Sequence, residues 1–144
     1  MSSDTERKSL AAKFERHADE ESKILAQYRL LSEKLGDSDL GSLVSHILTE
    51  EELHHLLLHT MGTWLREPSG QGRVLPPKAE RGDLLRLTQT LQRHEQETID
   101  ACASLQTQLG AQGEDLLVIL LDAMILDSEK HRRLLVAVEN MLKD

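Results

Sequence analysis

Six residues with carboxylate or imidazole side chains stand where the repeat of apolar residues along the chain predicts an apolar one. Each of four apolar blocks of the sequence contains at least one of them. Oxygen ligands from carboxylates and nitrogen ligands from histidine form a combination that suits divalent transition metals. We therefore take these residues as candidate metal ligands: Glu21, Glu51, His54, Glu95, Asp127 and His131.

The four apolar blocks have the spacing of α-helices, and these helices must position the candidate ligands. The predicted helices cover residues 4–35, 39–66, 83–109 and 114–142. Gly36 and Gly110 stand where the first and third helices are expected to end, because glycine is common just after a helix. The turns that follow are short, so each pair of successive helices is expected to form an antiparallel hairpin.

A long segment rich in proline and glycine, residues 67–82, separates the two hairpins. Fully extended, it would reach about 50 Å at about 3.3 Å per residue. A helix of about 27 residues is only about 40 Å long, so the segment can cross a bundle from end to end. We expect residues 1–144 to form a single all-α domain, a four-helix bundle with a long crossover between helices 2 and 3. The alternative for this segment is a linker between two domains.

The two predicted hairpins are weakly related in sequence. When the first is aligned with the second, Glu21 falls on Glu95, and with a slightly larger shift His54 falls on His131. Glu21 and Glu51 stand equally far from Gly36, the glycine of the first turn, on either side of it. With a rise of about 1.5 Å per residue, the candidate ligands of all four helices fall in one layer, halfway along the bundle.

Several ionised carboxylates in one dry layer would be unstable by themselves. They repel one another, and the loss of water costs each of them several kcal/mol. A pair of bound divalent cations would offset both penalties. The layer of carboxylates therefore predicts a metal site.

The order of the ligands along the chain resembles the dinuclear iron proteins of the ferritin-like superfamily, and most of all the rubrerythrin and bacterioferritin types. In that pattern helices 1 and 3 each supply one Glu, and helices 2 and 4 each supply Glu-x-x-His. Glu51 and His54 match the motif of helix 2. Glu21 and Glu95 match the single carboxylates, and His131 matches the last histidine.

This resemblance implies a site for two iron ions, or for one, with manganese as the alternative metal. It implies O₂ or peroxide chemistry linked to iron oxidation, or a related oxidoreductase reaction. Electrons would come from an external donor, because the chain has none of the cysteine pairs of a rubredoxin module. A homodimer is expected from the small size of the chain and from the habit of the superfamily.

Helix 4 departs from the superfamily pattern, because Ser128 stands where a liganding Glu is expected. Asp127, four residues before His131, is the residue that could replace it. Three alternatives follow: a weakened second metal position, a site for a single ion, or a site that has lost its activity. In the last case the chain would be a ferritin-like bundle that acts as a non-catalytic binding or assembly module. Whether the chain is an enzyme therefore stays open, and no catalytic residue is assigned.

The composition disfavours several other classes of protein. The 144 residues include 17 Lys and Arg against 25 Asp and Glu, a formal charge of −8 that suits neither nucleic acid nor an anionic membrane surface. No apolar run approaches the roughly 20 residues of a membrane span. Residues 1–13 are polar and lack the apolar stretch of a signal peptide. We expect a cytoplasmic protein without nucleic-acid or membrane partners.

Overall fold

The computed structural model describes residues 2–67 and 75–143, and all the regular structure in these two ranges is helical. The described residues form four helices, which confirms the prediction of an all-α chain with four helices. The chain divides after Arg73 into two compact units, and each unit contains one pair of successive helices. The helices are α1 (Ser2–Leu35), α2 (Asp39–Arg66), α3 (Lys78–Ala111) and α4 (Asp115–Lys143). A single four-helix bundle with a ferritin-like crossover stays a prediction.

The first hairpin brings α1 and α2 together along a line of small residues. Ala11, Ala18 and Leu25 are buried in α1 at intervals of seven residues, and Gly41 and Gly62 are the buried residues of α2. A seven-residue interval keeps one stripe of a helix against its partner. A Cβ atom at Gly62 would lie 3.6 Å from the carbonyl oxygen of Ala11, so the two backbones approach closely there.

Polar contacts close the first hairpin at its open end and tie it near the turn. At the open end, Arg7 Nη2 donates a hydrogen bond of 2.9 Å to the carbonyl oxygen of Trp64. Near the turn, the hydroxyl oxygens of Ser32 and Ser45 lie 3.4 Å apart. The first contact pairs the start of α1 with the end of α2, and the second pairs the end of α1 with the start of α2. The two helices are therefore antiparallel, as predicted.

The first turn depends on two glycines and one serine. Gly36 has a φ of +60°, a left-handed conformation that glycine adopts without strain. Ser38 caps α2, because its hydroxyl oxygen accepts a hydrogen bond of 3.1 Å from the backbone N–H of Gly41. Gly41 is buried against the turn, and a Cβ atom there would collide with the carbonyl oxygen of Gly36.

The second hairpin repeats this construction with α3 and α4. Thr88 and Cys102 are the buried residues of α3, and Ser128 and Leu142 are those of α4. In each of these helices the two buried residues are 14 positions apart, which is twice the seven-residue interval between the buried residues of α1. The side-chain Nε2 atom of Gln92 donates a hydrogen bond of 3.1 Å to Glu139 Oε2. The Nε2 atom of Gln106 donates one of 3.0 Å to the carbonyl oxygen of Val118.

Helix α3 begins five residues earlier than the predicted start at residue 83. Pro77 precedes its first residue, and the carbonyl oxygen of Pro77 accepts a hydrogen bond of 2.9 Å from the N–H of Glu80. The guanidinium of Arg81 donates to the carbonyl oxygen of Pro76 at 2.9 Å and reinforces this start. Gly82 therefore lies inside the helix, and the predicted loop 67–82 is too long at its second end. Residues 68–74 of that loop lie outside the described residues.

The end of α3 also differs from the prediction. The helix continues through Gly110 to Ala111, and Gly113, with a φ of +75°, is the residue in the left-handed conformation. The shift along the chain from Gly36 to Gly113 equals the shift from His54 to His131, which relates α2 to α4. The shift from Glu21 to Glu95 is three residues smaller. The second hairpin therefore has three more residues than the first between its helix carboxylate and its turn glycine.

Each hairpin also carries large apolar side chains outside the contact between its two helices. On α1, Leu10, Ile24 and Leu31 are exposed. The helix contact instead uses the neighbouring stripe of Ala11, Ala18 and Leu25. Even with these apolar side chains, none of the described helices is long and apolar enough to cross a membrane.

Candidate metal centre

The first hairpin brings together two of the predicted ligands, Glu21 on α1 and Glu51 on α2. A side-chain hydrogen bond links their carboxyl groups. This contact raises the pKa of Glu21 above its ordinary value, and burial and the negative charge of Glu51 act in the same direction. The positive charge that His54 can carry acts the opposite way. A hydrogen bond between two carboxyl groups needs a proton between them, and a bound cation can take the place of that proton.

One oxygen of Glu21 is left without a partner. Its Oε1 atom is buried and has no hydrogen-bond partner among the described residues. Buried polar atoms in folded proteins nearly always have a partner, so an orphaned carboxylate oxygen calls for an explanation. A cation beside the Glu21–Glu51 pair would fill this role, and the residues of the first hairpin fit a hard or borderline divalent metal.

His54 lies beside Glu51, as the Glu-x-x-His motif requires. Its Nδ1 atom is 3.8 Å from Glu51 Oε1, and residues three apart on a helix share a face. The side chain of His54 is nevertheless 54% exposed, against 25% for Glu51. Within this hairpin the neighbouring residue, His55, is the half-buried histidine.

The physical reason is the seven-residue interval of the helix contact. Counting in sevens from Gly41 leads to residues 48, 55 and 62, and Gly62 is the second buried glycine of α2. His55 therefore takes a position at the contact with α1, and His54 lies one residue to its side. The half-buried His55 is a candidate that the sequence pattern missed, and the interval between the two glycines was the signal that could have found it.

The second hairpin joins Glu95 on α3 to His131 on α4. Glu95 Oε1 lies 3.4 Å from His131 Nδ1, and the exposed fractions of the two side chains are 18% and 49%. Ser128, one turn before His131, is only 5% exposed. The internal repeat relates Ser128 to Glu51, so the second hairpin has a buried hydroxyl where the first has a carboxyl group.

Asp127 was the candidate replacement for the missing carboxylate. Its Oδ1 atom lies 3.7 Å from the ammonium group of Lys130, and its side chain is 29% exposed. Among the described residues of either hairpin taken by itself, the three predicted ligands do not bring one ligand atom each to within 4.8 Å of one another. The structure thus assembles the ligands as pairs: Glu21 with Glu51, Glu51 with His54, and Glu95 with His131.

No protein-family model, no curated protein and no solved structure matches this chain. The assignment to the ferritin-like superfamily consequently rests on the sequence motifs and stays a prediction. What the structure contributes is the geometry within each hairpin.

Proposed function

We propose that this chain is a ferritin-like metal-binding protein with a dinuclear iron carboxylate site, for which manganese is the alternative metal. The first hairpin would supply Glu21, Glu51 and His54 as ligands, and the second would supply Glu95 and His131. Asp127 is the further candidate in place of a carboxylate at position 128. The observation that carries the proposal is the contact between the carboxyl groups of Glu21 and Glu51.

That contact supports a cation because, among the described residues, no Lys or Arg takes part in it. A structural carboxylate pair would normally be balanced by Lys or Arg, whereas Glu21 faces another acid and keeps a buried oxygen without a partner in the described ranges. The positive charge that acts on Glu21 in this contact is that of His54, which itself is a nitrogen ligand when neutral. Mixed oxygen and imidazole ligands suit Fe and Mn better than Ca or a thiolate-bound metal.

Two bound ferrous ions would supply two electrons, which with two protons reduce one O₂ to hydrogen peroxide, or one hydrogen peroxide to two water molecules. The roles of the protein residues are narrower. Glu21 would release the proton of its hydrogen bond with Glu51 when metal binds, both carboxylates would hold the metal, and His54 would add a neutral ligand from the exposed side. A return to the ferrous state needs an electron donor from outside the chain.

A second candidate function follows from Ser128. Ser128, which is only 5% exposed, stands at the position equivalent to Glu51. Its hydroxyl group cannot replace a carboxylate as a ligand, so the second hairpin has a weaker ligand set than the first. In that case the chain would be a non-catalytic binding or assembly module. Metal binding to the first hairpin alone, without oxidation of iron by O₂, would favour this candidate.

The deciding experiment is an anaerobic titration of the full chain with Fe²⁺, followed by addition of O₂ or peroxide. We expect two ions per chain and oxidation that depends on O₂ or peroxide. The variant Glu51→Gln should lose Fe²⁺ binding, whereas Glu52→Gln, an exposed neighbour whose carboxylate lies 3.9 Å from Arg29 Nε, should keep it. Absence of stoichiometric Fe or Mn from the wild-type protein would overturn the proposal.

A further inference from the structure

Two histidines outside the predicted ligand set lie together on α2. His55 and His59 are four residues apart, so they stand one above the other on one face of the helix. Their ring centroids are 4.8 Å apart, and the two ring planes are nearly perpendicular, at 87°. Two imidazoles at this spacing on a helix can each offer one nitrogen to the same ion, as in the metal-binding motifs that place two histidines at i and i+4.

A second observation singles out His55. Its Nδ1 atom is buried and has no hydrogen-bond partner among the described residues. A neutral imidazole has one nitrogen that donates and one that accepts, and a buried nitrogen without a partner is costly whichever role it has. A bound cation accepts the lone pair of an imidazole nitrogen and removes this penalty.

The surroundings of the pair are acidic but balanced. His59 acts electrostatically on Glu15 of α1, where its positive charge would favour the ionised carboxylate. Glu15 is already held by the guanidinium of Arg66, which donates to both of its carboxylate oxygens, one of them at 2.7 Å. The charge of Glu15 is therefore already balanced by Arg66, and Glu15 is not counted among the ligands of the site.

We propose that His55 and His59 form a second metal site, separate from the carboxylate centre, for a borderline divalent ion such as Zn²⁺ or Ni²⁺. Imidazole ligands suit Zn, Ni and Cu, as well as Fe, whereas the carboxylates of Glu21 and Glu51 suit a harder ion such as Mn. Water completes the coordination, because two histidines supply only two ligands. An ion held by both rings joins two successive turns of α2, so binding stabilises the first hairpin.

The test is a calorimetric titration of the full chain with Zn²⁺ and with Ni²⁺, carried out in the Glu51→Gln background to weaken the carboxylate centre. Because His59 is exposed, His59→Ala is the deciding variant, and a circular dichroism spectrum and melting temperature without metal check that it folds. We expect His59→Ala to weaken binding by more than about tenfold, since even the loss of an outer partner of a ligand costs roughly 10–100-fold. His94→Ala, which removes an exposed histidine of α3, is the matched control and should bind as the background does.

Two further measurements sharpen the outcome. With Zn²⁺ in excess, the melting temperature should rise in the Glu51→Gln background and not when His59→Ala is added, because an ion that binds only the folded state stabilises it. Cu²⁺ bound to the same background should show two imidazole nitrogens in its electron paramagnetic resonance spectrum. Equal affinity and stoichiometry with and without His59 would overturn the site and leave the pair as an edge-to-face packing contact. Iron binding by the protein with wild-type Glu51 is measured separately, so the two proposals can fail independently.

Discussion

The carboxyl group of Glu21 on α1 meets that of Glu51 on α2, with no Lys or Arg of the described ranges in the contact. Two acids in such a contact are stable only if one of them keeps a proton or if a cation lies between them. The same relationship therefore governs both the pH dependence of the metal-free protein and its metal binding.

Glu21→Gln should stabilise the metal-free protein at neutral pH. The pKa of Glu21 is raised in the folded state, so the proton it holds contributes stability that is fully present below the unfolded pKa. This contribution is lost as pH rises through the raised folded pKa. Glutamine imitates the protonated acid, so the gain at neutral pH should be positive but below about 1 kcal/mol, because the pair is partly solvated. Urea unfolding of both proteins from acid to mildly alkaline pH measures it, and equal stability at all pH values would contradict it.

The opposite pH dependence is expected at the open end of the first hairpin. The hydrogen bonds from Arg66 hold the pKa of Glu15 below its usual value. The stability from this pair is present above the unfolded pKa of Glu15 and is lost as pH falls through the lowered folded pKa. A double-mutant cycle with Glu15→Gln and Arg66→Gln should therefore give a favourable coupling at neutral pH that weakens in acid and at high salt. Coupling that persists below the pKa of Glu15 would show that charge is not its source.

Gly41→Ala should destabilise the first hairpin by about 1–3 kcal/mol, the usual cost of overpacking. The new Cβ atom would collide with the carbonyl oxygen of Gly36, a backbone atom that cannot move without opening the turn. Gly62→Ala is the matched control, because its Cβ atom would meet nothing closer than 3.6 Å. Alanine is about 1 kcal/mol better than glycine inside a helix, so this control should be neutral or stabilising. Thermal unfolding of both variants checks the difference, and equal melting temperatures would contradict the geometry of the turn.

Ser128→Glu should have opposite effects with and without metal. Without metal, a carboxylate at a position that is 5% exposed carries a desolvation penalty and should destabilise the protein. With Fe²⁺ or Mn²⁺ the same carboxylate adds the ligand that the sequence lacks, so binding should tighten. The control is Ser104→Glu, which adds the same charge to an exposed position of α3. Metal affinity that does not change in Ser128→Glu would show that Ser128 is not the defect.

Helix positions were largely predictable from the sequence, because helices depend on local spacing of apolar residues and on glycine at their ends. The observed α2 has the predicted limits, 39 and 66, and the limits of α1 and α4 differ from prediction by at most two residues. The start of α3 was wrong by five residues, because Gly82 and Asp83 resembled a helix start while Pro77 supplies the real one. A glycine inside a helix costs only about 1 kcal/mol, which the rest of a long helix offsets.

The stripe that each helix turns toward its partner was not predictable. Helix α1 has both the apolar series with Leu10 and Ile24 and the stripe with Ala11 and Ala18, and local spacing does not decide between them. Packing decides, because alanines and glycines allow the two backbones to approach. That choice moved His55 toward the helix contact and left His54 exposed.

The sequence by itself determined that this chain is helical, where its turns lie, and which acids and histidines are candidates for metal chemistry, since all of these follow from residue type and short-range spacing. Only the tertiary structure decided that Glu21 meets Glu51 and that Glu95 meets His131. The physical reason is that such contacts depend on the rotation of one helix against another. Close packing of small residues sets that rotation, and no pattern along a single helix contains it.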